Sequence, residues 1–136
     1  MSDARRVDAL TVSGLAEVAL GAQTGWLMAL AVSDPEKLRQ LGIRSPARLR
    51  QWHLDLIMLG GLSVMASLAV PDLPKRVAVP LAAGAWANAN AFGVLAFRPE
   101  LKEHPVYKAG VITSFVSTSY GFTELARIAF KRWRAG

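Results

Sequence analysis

The sequence predicts an all-α fold: a four-transmembrane-helix bundle with antiparallel neighbours and a short interfacial helix between the first two spans. Three observations predict it. Hydrophobic residues make up 52% of the chain and gather into four stretches rather than spreading along it. The connections between those stretches are short, charged and proline-bearing. Lys and Arg sit almost wholly in the termini and connections, as charges do when hydrocarbon excludes them and anionic headgroups attract them. At 136 residues the chain holds one domain.

The first span covers residues 9–32, about 36 Å of helix against a hydrocarbon core of roughly 30 Å. Arg5-Arg6 ahead of it and Ala29-Leu30-Ala31 near its end imitate a cleavable signal. The apolar run is too long for one, and Glu17 and Gln23 interrupt it, so a retained first helix is expected. Ser33-Asp34-Pro35-Glu36 then supplies a cap, a proline at a first helical position and an acid in the first turn. A short interfacial helix follows, stopped by Gly42. Ser45-Pro46 starts the next long helix, which enters the second span at residues 50–70. Residues 71–76 are a tight turn that forces an antiparallel return. The third span, residues 77–97, carries no charge and has Pro80 in its first turn, where a missing N–H costs little. A polar connection at residues 99–105 leads to the fourth span, residues 107–130.

The net charge of +6 invites a nucleic-acid reading. The scatter of the basic residues over both membrane edges argues against it. With no cysteine, disulfides, thiolate metal sites and thiol nucleophiles are excluded. Four spans put both termini on one side. Eight Lys and Arg fall on each side, so the charge bias does not orient the chain. The compact C-terminal cluster Lys131-Arg132-Trp133-Arg134 points to cytoplasmic termini in a bacterial inner or plasma membrane.

Three spans carry chemistry. In the third, Ala83, Ala87 and Ala91 recur at i, i+4, i+8, a spacing that lets helices pack closely in lipid. Asn88 and Asn90 are amides that should face protein or a cavity, and Trp86 shares a face with Asn90. In the fourth, Thr113, Ser117, Tyr120 and Glu124 form a polar stripe, with Arg127 in reach of Glu124. Ser13, Glu17, Gly21 and Thr24 form a similar stripe in the first. Two such stripes suggest a polar bundle interior. Glu17 is either functional or snorkels to the interface. His53, after Trp52 and near Asp55, is the foremost candidate ligand for iron, against a purely structural hydrogen-bonding role. His104 should face solvent.

The order of these motifs resembles the family of styrene oxide isomerase and hydroxylaminobenzene mutase. Gln23-Thr24-Gly25-Trp26 looks like the Thr-Gly-aromatic ending of the mutases' first helix. His53-Leu54-Asp55 is similar to their His-Leu-Glu, and Trp86-Ala87-Asn88 follows in the third span. The likeness covers residues 12–97 and is weak beyond. It implies a trimer holding a b-type heme between subunits, with His53 as axial ligand to the iron and Trp86 close to the cofactor. In the isomerase the ferric iron acts as a Lewis acid on an epoxide oxygen. Arg44, Arg48 and Arg50, on the same membrane edge as His53, are candidates to meet the propionates. The chain departs from the family at Leu59, Gly84 and Phe92, where the family carries Asn, Asp and Tyr. Asn88, Asn90 and Tyr120 are the candidate substitutes for catalysis.

Three functions compete. The first is a heme-b isomerase or mutase acting on a small apolar, oxygen-bearing substrate. The second is a membrane heme protein in electron transfer or sensing, and the third a structural membrane subunit whose polar stripes only pack helices.

Overall fold

Asp8 opens the first helix by accepting the Thr11 N–H at 2.9 Å, one of the donors that a helix start leaves unpaired. In the computed structural model, which describes residues 6–136, helix α1 then runs over Ala9–Ser33. Arg5, half of the basic pair ahead of it, lies outside the described residues. Asp34 caps the short α2 (Pro35–Gln40) by accepting the Lys37 N–H. Gly42 ends it at φ 90°, a backbone conformation that glycine adopts without a Cβ clash. Ser45 caps α3 (Pro46–Ala69). After a turn in which Asp72 takes φ 55° come α4 (Lys75–Phe97), a 3-10 helix (Pro99–Glu103) and α5 (Pro105–Ala135). No strand occurs among the described residues.

Two boundaries differ from the sequence reading. Helix α4 takes in Lys75 and Arg76, so Pro80 falls beyond its first turn rather than within it. Helix α5 outlasts residues 107–130 at both ends. Its last turns are held because Arg132 donates to the Pro71 and Asp72 carbonyls of the α3–α4 turn.

The long helices pack in chain order, α1 on α3, α3 on α4, and α4 on α5, with a slender contact between α1 and α4. Helix α5 makes no extensive contact with α1 or α3, so the four do not close into the expected bundle. The cause lies in its side chains: only Ser114 and Gly121 are buried, while Ile112, Phe115 and Val116 point away from the other helices.

Missing side chains set the closest contacts. A Cβ built on Gly14 would stand 2.5 Å from the Gly60 carbonyl oxygen, and one on Gly60 would stand 2.6 Å from that of Gly14. On α4, Gly84 is closed off by Thr118 in the same manner. The Ala83 and Ala87 positions, read as a packing face, are exposed; Leu81, Gly84, Ala85 and Ala89 are the buried positions instead. At one end the Arg44 and Ser45 N–H groups both donate to the Ala96 carbonyl, tying the loop before α3 to the last turn of α4. Leu38, Ile43, Leu49 and Ala96 make a small apolar core beside that tie.

Helices α1 and α3, at 25 and 24 residues with mean hydropathy 1.4, are long and apolar enough to cross a membrane. The molecule also turns large apolar side chains outward, among them Trp26, Val32, Met65, Leu68 and Val116. Such continuous apolar exposure is unusual for a monomer in water.

Candidate functional site

Helix α3 presents two lines of side chains. His53, Ile57, Gly60 and Val64 recur at helical spacing and meet α1; Trp52, Leu56 and Leu59 turn toward α4. The antiparallel register brings His53 opposite Gly21 and Thr24 of α1. His53 Nδ1 lies 2.8 Å from the Gly21 carbonyl oxygen and 3.0 Å from Thr24 Oγ1, and the Thr24 hydroxyl donates to the same carbonyl at 2.7 Å. A carbonyl only accepts, so the contact with Gly21 requires the proton on Nδ1. Nε2 then carries the lone pair, and it has no hydrogen-bond partner among the described residues.

Gly25 completes this edge. A Cβ there would stand 3.5 Å from His53 Cε1, in ordinary contact, so α1 borders the ring closely without covering it. His53 is half-buried and Trp26 beside it is exposed. Asp55 lies about 200° around α3 from His53 and makes no hydrogen bond to it.

The other predicted residues separate into different places. Asn90 is committed: its Oδ1 accepts from Trp52 Nε1 at 3.1 Å, and its Nδ2 donates to the Trp86 carbonyl at 2.8 Å. Trp86 Nε1 in turn donates to Ser13 Oγ at 2.9 Å. Ser13 precedes Thr24 by eleven positions on α1, about 16 Å along the axis, so one protomer does not bring Trp86 up to His53. Asn88 is half-buried and makes no side-chain hydrogen bond among the described residues, while Tyr120 is exposed on the outer side of α5.

The three arginines also diverge. Arg44 faces Glu100 at 3.6 Å, and Arg48 donates to Gln51 and lies over the Phe92 ring, 5.8 Å from its centroid. Arg50 is exposed and forms no ion pair among the described residues; of the three it is free to meet an anion one turn from His53. His104 is exposed, as expected, and caps α5 by accepting the Val106 N–H.

The polar stripe on α5 does not line an interior. Thr113 is exposed and bonds its own helix at Ala109, Ser117 donates to the Pro80 carbonyl, and Glu124 pairs with Arg127. The stripe on α1 does turn inward. Glu17 is wholly buried rather than snorkelling, and both its carboxyl oxygens lack a hydrogen-bond partner among the described residues. Sequence reasoning passed over Gly14, although Leu10, Gly14, Glu17, Gly21 and Thr24 follow the alternating three- and four-residue steps of a helix-packing seam. It also missed Trp52 as a donor to Asn90, for which the sequence gives no pairing signal.

No family model matches the chain, and no curated protein or solved structure matches it.

Proposed function

We propose that the protein is a four-span integral membrane protein in which His53 ligates the iron of a b-type heme, with isomerase- or mutase-like chemistry on a small apolar, oxygen-bearing substrate. The observation that carries this reading is the orientation of His53. Its Nδ1–H is fixed by a carbonyl and a hydroxyl, which leaves a basic Nε2 uncommitted, the arrangement that outer partners impose on metal-bound imidazoles.

The donor set agrees with a porphyrin-borne metal. No three His, Asp or Glu side chains among the described residues cluster to hold a bare ion, so a metal at His53 has to bring its other ligands with it. Heme would supply a Lewis-acidic iron with an open position for a substrate oxygen. The chain supplies the rest. Gly21 and Thr24 hold the imidazole in one tautomer, Arg50 offers a planar donor for a propionate, and the apolar walls around Trp26 and Ile57 exclude water. Since Trp86 and Asn90 lie far along the bundle from His53, a pocket formed with them would need a second copy of the chain, in keeping with a trimer.

The four-span reading rests on the charge-free run of α4 and on the apolar outer side of α5. Both chain ends would then lie on one side of the bilayer.

The missing polar groups bear on the reaction. Leu59 is buried among Leu56, Ala85 and Ala89, and Gly84 has no room for a side chain against Thr118. We expect weak or absent turnover of styrene oxide. The deciding experiment is purification from cells supplied with heme: wild type should show a Soret band, and His53→Ala should lose most of it. Colourless wild-type protein would overturn the reading. Rapid conversion of styrene oxide to the aldehyde would overturn the expectation about chemistry alone.

A further inference from the structure

Glu17 lies where no ordinary carboxylate belongs. Its side chain is fully buried at the α1–α3 contact, with its Cβ in the space a Cβ on Gly60 would need, 2.9 Å from it. Neither carboxyl oxygen has a partner, and on α3 the hydroxyl of Ser63, one turn past Gly60, is likewise buried and unpartnered. Helical side chains lean toward their own N-terminus, which carries the Glu17 carboxyl toward the turn of Gly14. In the antiparallel register that level of α1 is also the level of Ser63.

No charged group is available to balance a carboxylate there. Helix α1 has no other ionisable residue between Ala9 and Val32, α3 has none from Leu56 to Ala69, and α4 has none from Val77 to Phe97. The nearest is His53, paired with Thr24 two turns away, about 10 Å along α1. An isolated buried charge is far costlier than the neutral acid.

We propose that Glu17 is a proton-binding site within the helix pair, carrying its carboxyl as the neutral acid and linked to Ser63 through one enclosed water. The proton comes from bulk water as the helices associate. It forms an O–H bond on one carboxyl oxygen, leaving the other as an acceptor. The water takes the acid's hydrogen bond and meets Ser63, which gives all three unpartnered atoms a partner. Gly14 and Gly60 leave the carboxyl beside backbone rather than beside a side chain that might pair with it. Loss of the proton places an unpaired charge at the tightest contact in the fold and drives α1 and α3 apart.

The test is infrared spectroscopy of the full chain in lipid nanodiscs at neutral pH, as a difference between wild type and Glu17→Gln. The expected result is a protonated-carboxyl C=O band in wild type that shifts in D2O and is lost in the variant. Ser63→Ala should move that band without abolishing it. The wild-type melting temperature should fall as pH rises, while Glu17→Gln, which has no charge to gain, stays flat. A carboxylate band for Glu17 at neutral pH, or stabilisation of wild type by sodium with no protonated band, overturns the proposal. A band unmoved by Ser63→Ala overturns the water link. The wild-type band and its D2O shift can be read even where a variant fails to fold.

Discussion

Gly14 and Gly60 face each other so closely that each backbone carbonyl occupies the place where the other residue's Cβ would be. This reciprocal contact fixes the distance between α1 and α3. It thereby brings Gly21 and Thr24 within hydrogen-bond reach of His53, two turns and more further along the pair.

Substitution at this contact should be severe while a neighbouring glycine tolerates the same change. Gly60→Ala places a methyl against backbone, which has little freedom to move, and should cost about 1–3 kcal/mol. Gly61 has nothing within 4 Å of a built Cβ, so Gly61→Ala should be close to neutral. Unfolding of both variants in detergent, followed by circular dichroism, compares them directly. Equal stabilities would mean that the contact is looser than its geometry.

Thr24 should matter to His53 without being essential. Thr24→Val keeps the side-chain shape and leaves the Gly21 carbonyl as the remaining Nδ1–H acceptor. Heme affinity should fall by about 10-fold, at the low end for loss of an outer partner. Arg50→Ala should lose less heme than His53→Ala. Heme titration followed at the Soret band ranks the three, and a Thr24→Val variant as weak as His53→Ala would mean that the hydroxyl fixes the ring alone.

The exposed Ala83 and Ala87 positions are free for contact between copies. Ala87→Leu should weaken an oligomer by overpacking while leaving the monomer fold intact. Mass measurement in mild detergent, beside circular dichroism, separates the two effects. A wild type that is already monomeric would remove the basis for the prediction.

Asp8 should give the fold an acid-side weakness. The Ser67 hydroxyl, followed by the Thr11 backbone N–H, holds its carboxyl below the usual carboxylate range. A group with a lowered folded-state value stabilises fully above its unfolded value and loses that contribution as pH falls through the folded one. Melting temperature should therefore drop on acidification into and below the ordinary Asp range. Asp8→Asn should flatten that drop.

Reporter fusions at the two termini should report the same side of the membrane. Opposite sides would mean that one of the four long helices does not cross.

Much of the helix punctuation was legible in sequence because it is local. Asp34-Pro35 and Ser45-Pro46 cap neighbouring N–H groups, Gly42 takes a conformation suited to glycine, and Glu124 reaches an arginine one turn away. Those interactions depend on a few adjacent residues, and so does the apolar length of α1 and α3. Facing was not legible, because the amphipathic pattern of a helix with apolar surfaces on both sides does not say which one meets protein. The alanine line on α4 and the polar stripe on α5 turned outward, whereas Glu17 turned fully inward. Pairing across helices was beyond the sequence for the same reason. Trp52 with Asn90, Trp86 with Ser13 and His53 with Gly21 are each set by the register of one helix against another. Only the tertiary structure decides that register, through the glycines whose missing side chains let two backbones touch.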